Sequence, residues 1–345
     1  MPAPCDPQAL PDLTVGHLGL YVADRDAVAA EFTEGYGFRP VPPPVPPDDG
    51  ARSVWLRQGE AVLVLTEPGS ARHPGHAFLE AHGDGVADIA LRVPDARAAF
   101  DTALARGARP AGPAGQEWAV EAFGGVRHSF VETGPAAGGP PAPGGRGIET
   151  VDHLAVCLPA GELAPTVAHY ETVFGLTMVF EERISVGRQA MLSQVVQSRS
   201  AGLTLTLIQP DTTGEPGQID RFLDRNGGAG VQHVAFSTPD AVRTVTELMA
   251  GGVEFLGTPD TYYQQLGSRI SVSAHTVRDL QRVGLLVDED QDGQLFQIFT
   301  RSTHPRNTLF YEVIERLGAR TFGSGNIAAL YRAVEAERAR AGAPR

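Results

Sequence analysis

Four stretches of the chain share one pattern of apolar and polar positions: 15–38, 85–110, 151–176 and 230–255. Each opens with period-two alternation, breaks at a short polar segment, and continues with apolar spacing near 3.6 that closes on glycine. That switch predicts a strand followed by a helix. Asp95 and Asp240, each directly after a proline, are expected helix N-caps. Further strand-like runs follow, such as SVWLRQGEAVLVLTEP (53–68) and SQVVQSRSAGLTLTLIQP (193–210), so the unit reads β-α-β-β-β and recurs four times. TGPAAGGPPAPGGRG (133–147) lacks hydrophobic periodicity and reads as a linker. The expected organisation is a domain over 1–132, a linker over 133–148 and a longer second domain over 149–345. RPVPPPVPPDDG (39–50) is expected to be an exposed loop, and 326–342 a terminal helix with Ile327, Leu330, Tyr331 and Val334 apolar.

Two of these strands carry a histidine in third position, VDHLAVCL (151–158) and VQHVAFS (231–237). Alternation puts His153 on one face with Val151, Ala155 and Cys157, and His233 with Val231, Ala235 and Ser237. The small neighbours leave space beside each imidazole. In TLFYEVIER (308–316), Glu312 shares a face with Phe310 and Ile314, where a carboxylate is costly unless it is paired or bound to a cation. Each residue alone reads as readily as a satisfied core group. At equivalent positions of repeated modules, two histidines and a carboxylate match the facial triad of non-haem Fe(II) oxygenases. The first half offers His17, Asp88 and Glu132 at the corresponding places, a set read as the structural remnant of a duplication. His73, His76 and His82 are expected in solvent and His304 on a loop.

Composition narrows the chemistry. All 28 basic residues are arginine, which excludes a Schiff-base lysine, a pyridoxal-phosphate lysine and a P-loop lysine. A net charge of −13 argues against nucleic acid and anionic membranes as partners. No apolar run is long enough to span a bilayer, and the N-terminal stretch lacks the features of a signal peptide. Two cysteines, Cys5 and Cys157, make no disulfide framework, and a cytoplasmic location is expected.

The paired modules resemble the vicinal oxygen chelate fold, an α+β architecture in which four β-α-β-β-β modules form two open, barrel-like domains. The block GQLFQIFTRSTHPRNTLFYEVIERLGARTFGSGNIAALYRAVE (293–335), together with GAGVQHVAFSTPD (228–240), resembles the C-terminal signature of the 4-hydroxyphenylpyruvate dioxygenase family. The runs RQGEAVLVLTEP, HGDGVADIA and PGQIDRFL are similar to its 4-hydroxymandelate synthase branch. The resemblance implies His153, His233 and Glu312 as ligands of Fe(II), and 4-hydroxyphenylpyruvate and O2 as substrates, in a homodimer. It implies Ser193, Thr206, Ile208, Gln218, Gln232, Gln297, Phe299, Phe310, Phe322 and Ile327 around the substrate, with the helix from Asn326 as a lid. The family's dioxygenases make homogentisate by oxidising the ring, whereas the synthases hydroxylate the benzylic carbon and release (S)-4-hydroxymandelate and CO2. Thr206, Ile208 and Ile327 depart from the proline, asparagine and phenylalanine of the dioxygenase pattern. The expected activity is therefore the synthase, with the dioxygenase as the alternative. The QIFT and FGSGN runs argue against an extradiol dioxygenase, and the full His-His-Glu set and the 345-residue length argue against a metal-free drug-sequestering protein of the same fold.

Overall fold

The computed structural model describes residues 10–43, 50–112, 118–133, 145–323 and 325–326. The expected linker lies mostly outside these residues, as do Ile327 and the terminal helix.

The first half builds a seven-stranded sheet from β1 (Thr14–Tyr21), β2 (Arg39–Val41), β3 (Ala51–Gln58), β4 (Ala61–Pro68), β5 (Gly85–Val93), β6 (Ala119–Glu121) and β7 (Arg127–Glu132), in the order β2-β3-β4-β1-β5-β7-β6. Its helices are α1 (Arg25–Ala30), α2 (Pro74–His82) and α3 (Ala96–Ala105). The stretch expected to be an exposed loop opens as edge strand β2.

The second half carries α4 (Leu163–His169), α5 (Gln218–Asn226), α6 (Ala241–Ala250), α7 (Asp260–Leu266) and α8 (Val277–Val283). Its strands are β8 (Val151–Cys157), β9 (Thr177–Val186), β10 (Gln189–Gln197), β11 (Thr204–Pro210), β12 (Gly230–Ser237), β13 (Leu286–Glu289), β14 (Gln294–Phe299) and β15 (Phe310–Leu317). They form one eight-stranded sheet in the order β13-β14-β15-β12-β8-β11-β10-β9.

Both sheets are joined at the centre by an antiparallel pair, β1 with β5 and β8 with β12. Each central strand has a parallel neighbour from its own module: β4, β7, β11 and β15. Parallel neighbours require a crossover, which the module helices supply. Asp95 and Asp240 cap α3 and α6 by accepting from the N–H groups of Ala98 and Arg243. In the first and third modules the helix runs into a π-helical turn that ends on Gly37 and Gly175. Both glycines are left-handed, with φ of 81° and 68°, a conformation open to residues without a Cβ.

The two halves pack through aromatic residues. Phe32 and Tyr36 stand 5.2 and 5.5 Å from Tyr311 between ring centroids, and Phe38 stands 5.8 Å from Phe236. Tyr311 and Phe236 are the outward neighbours of inward positions on β15 and β12, so the first half braces the strands on which Glu312 and His233 sit. Arg146 adds a polar stitch, donating to the carbonyls of Glu34, Gly35 and Glu247.

Candidate metal centre and substrate pocket

Strand register assembles the site. Across the second sheet, His153 on β8 faces Ala235 on β12, Ala235 faces Glu312 on β15, and Glu312 faces Phe299 on β14. One step away, Thr206, Ala155, His233 and Phe310 form a parallel row. Two ligand-type rows separated by alanines leave a hollow between the rings. Glu312 Oε2 lies 3.4 Å from His153 Nε2 and 3.3 Å from His233 Nε2, and one donor atom from each of the three falls within 4.8 Å of the others.

Burial disfavours charge at all three residues, yet the paired histidines hold the Glu312 carboxyl down to about 2. Burial also opposes a charge on His153, but the carboxylates of Asp152 and Glu312 outweigh it and push His153 up to about 9. His233 is instead lowered, by burial, with Glu312 opposing. The Nδ1–H of His153 donates to Asp152 Oδ1 at 2.8 Å, which turns Nε2 toward the cluster. Two imidazole nitrogens and a carboxylate oxygen, convergent and buried without a thiolate, fit a divalent transition metal with open positions.

Around the cluster, the Phe310 ring stacks on His233 at 4.9 Å, Phe299 lies 5.9 Å from His233, and Phe322 stands edge-on to His153 at 5.2 Å. Phe180 completes this wall 6.3 Å from Phe322. Gln297 is fully buried, and neither atom of its amide finds a hydrogen-bond partner among the described residues; Thr206 Oγ1 likewise has none. Ser193 faces Ile208 across β10 and β11. Ile208 packs with Ala155, Cys157 and Met191 beneath Ile219 and Phe222 of α5, an apolar cluster beside the buried hydroxyls of Ser193 and Thr206. Gln218, at the start of α5, is exposed and reaches Met191 Sδ at 3.8 Å. Gln232 sits within the β-bulge before His233.

The first sheet repeats the register but not the chemistry. His17 faces Ala90 and Gly19 faces Asp88, just as His153 faces Ala235 and Ala155 faces His233. The pairings Asp88↔Arg127 and Leu91↔Phe130 then put Ser129, not Glu132, at the level of Glu312. Asp88 is engaged by Arg127 and by Ser129 Oγ at 2.7 Å, Glu132 is exposed, and the His17 ring packs on Trp55 at 4.8 Å. Two other histidines differ from expectation: His73 caps α2, and His82 lies 2.7 Å from the Asn226 carbonyl. His76 is exposed, and His304 lies on a loop between β14 and β15, where it is buried.

Sequence reading missed Asp152, Arg316 and Phe180. It also missed His275 and Glu315, which cluster with the N-cap Asp240, Glu315 lying on the other face of β15. Glu315 Oε2 there accepts from the Ala241 N–H at 2.7 Å and pairs with His275 at 2.8 Å, so that cluster closes the start of α6.

Comparison with known proteins agrees with this geometry. Residues 16–129 and 150–298 each match the Glyoxalase/Bleomycin resistance protein/Dioxygenase superfamily. A 4-hydroxyphenylpyruvate dioxygenase from Danio rerio is 30% identical over 94% of this chain and 90% of its own length. The chain belongs to the 4-hydroxyphenylpyruvate dioxygenase family. Another dioxygenase of this name, from Plectranthus scutellarioides, is 32% identical over 82% of this chain and 78% of its own length. Among solved structures, a mutant 4-hydroxymandelate synthase from Streptomyces coelicolor is 40% identical, covers 95% of this chain and all of its own, and superposes with a TM-score of 0.82. Membership settles two expectations: the vicinal oxygen chelate fold, and an enzyme of the dioxygenase class. Among the described residues no helix is long and apolar enough to cross a membrane.

Proposed function

We propose that His153, His233 and Glu312 hold one Fe(II), and that the enzyme converts 4-hydroxyphenylpyruvate and O2 to (S)-4-hydroxymandelate and CO2. The observation that carries the reading is the buried two-histidine, one-carboxylate cluster inside an aromatic-walled cup. The 40% identity to a 4-hydroxymandelate synthase favours that product. Bound iron would chelate the keto acid and activate dioxygen for its oxidative decarboxylation. The protein's share is placement. Phe299, Phe310 and Phe322 wall the site and exclude water, the amide of Gln297, without a partner among the described residues, donates to and accepts from the substrate, and Thr206 Oγ1 offers a second polar contact. Ile208, packed in the apolar cluster under α5, offers the phenol no hydrogen bond and leaves the benzylic carbon as the position attacked.

The second reading, ring oxidation to homogentisate, is favoured by the dioxygenase relatives near 30% identity. Chromatography of products from anaerobically loaded enzyme given 4-hydroxyphenylpyruvate and O2 decides. Mostly 4-hydroxymandelate is expected; mostly homogentisate replaces the proposal with the second reading. A catalytic unit over 149–345, a lid helix from Asn326 bearing Ile327, a homodimer and a cytoplasmic location complete the proposal. Light scattering tests the assembly.

A further inference from the structure

Arg316 makes four donations at once. Its Nε and Nη2 donate to the two carboxylate oxygens of Asp152, each at 2.9 Å. Its Nη1 donates to the carbonyls of Ala319 at 3.2 Å and Thr321 at 2.6 Å. The guanidinium carbon also lies 5.0 Å from the centre of the Phe322 ring. Asp152 in turn uses Oδ1 to accept from His153 Nδ1. Two strands that are not neighbours, β8 and β15, are thereby tied together, because β12 lies between them. The same arginine pins the 319–322 turn that carries Phe322 against His153.

We propose that Asp152 and Arg316 act as one positioning unit, which fixes the His153 ring for metal binding and docks the 319–322 turn over the site. Neither residue touches the reacting atoms. A bidentate guanidinium–carboxylate pair defines direction as well as distance. Asp152, so held, presents one oxygen to His153 Nδ1–H and leaves Nε2 as the free donor. The arginine's remaining nitrogen captures two carbonyls of a turn that no strand ladder holds. Asp290 Oδ2 accepts from the Arg320 and Thr321 N–H groups of the same turn at 2.7 and 2.9 Å, so the arginine supplies the link between that turn and the ligand ring. The proposal rests on His153, His233 and Glu312 being the metal ligands.

Co(II) titration, followed by its visible absorption in the absence of substrate, tests the first half. The wild type is expected to bind one ion. Absence of binding in the wild type would overturn the ligand assignment itself, and that outcome is distinct from any effect of the variants. Asp152→Asn is expected to weaken Co(II) binding by about tenfold or more and to change the absorption band. Asp152→Ser is carried in parallel, so that poor folding of one variant does not remove the measurement. The double variant Asp152→Asn/Arg316→Gln should bind no more weakly than Asp152→Asn alone, because the two residues act through one contact. Wild-type affinity in both Asp152 variants, or additive losses in the double variant, overturns the unit. Trypsin tests the second half on metal-free protein. Arg316→Gln should be cut after the exposed Arg320 several-fold faster than wild type, and an unchanged rate overturns the docking role.

Discussion

Ala235 on β12 stands directly opposite His153 on β8, and it is fully buried. Its methyl group faces the hollow that the ligand side chains surround, with Glu312 opposite it on the other side. Leucine at this position would fill the hollow. Ala235→Leu is expected to fold with a loss of about 1–3 kcal/mol, the usual cost of overpacking. Metal binding, read by calorimetric titration, should fall below detection. Retained stoichiometric binding would place the metal elsewhere.

Removing a ligand should separate binding from folding. Glu312→Ala and His233→Ala are each expected to abolish turnover and metal uptake while the circular dichroism spectrum stays that of the wild type. The cluster sits inside one cup, whereas the core that holds the chain together spans both halves. Turnover surviving in either variant would remove that residue from the metal set.

Gly323 bears on the substrate pocket. Its φ is +71°, and a Cβ there would lie 2.1 Å from Gln297 Oε1. Gly323→Ala must therefore displace either the turn or the buried amide. A rise in KM for the keto acid of about tenfold is expected, corresponding to about 1.4 kcal/mol of lost binding. Gln297→Leu is expected to raise KM at least as much, and an unchanged KM in that variant would mean that Gln297 does not contact substrate.

Acid stability should depend on His128. Its Nε2 lies 2.9 Å from the Tyr170 hydroxyl and its Nδ1 3.1 Å from the Ile89 carbonyl, which joins the two halves. Burial pulls this histidine down to about 4, with the Ile89 carbonyl opposing. The unfolded chain binds a proton near pH 6.5, so between pH 6.5 and 4 the unfolded state holds more protons than the native one. Stability from this group is complete above pH 6.5 and is lost as pH falls toward 4, by an amount on the order of 3 kcal/mol. His128→Gln should lower stability at pH 7.5 yet flatten its decline between pH 6.5 and 4. Urea unfolding across that range checks the slope, and an unaltered slope would assign the acid sensitivity to other groups.

Much of this was legible in the sequence, because local patterns carry it. Helix-start signals such as Asp95 and Asp240, and the switch from period two to 3.6, are properties of adjacent residues. So is the presence of His153 and His233 in apolar strands beside alanines two residues on, although bulges at Asp152 and Gln232 interrupt the alternation just before each histidine. Other features depend on which strands become neighbours and in what register. Glu132 is a glutamate at a plausible distance along the chain, but the β5–β7 register sets Ser129 at the level of Glu312. Glu312 and Glu315 look alike in sequence, and β-strand alternation turns one toward the histidines and the other toward the start of α6. Asp152 and Arg316 are 164 residues apart, and each taken alone is an ordinary charged residue at a strand end. Only the closing of β8, β12 and β15 into one sheet brings them together, because side-chain contacts across a sheet are set by hydrogen-bond register. The sequence by itself determined which residue types face inward; the tertiary structure decided which of them meet.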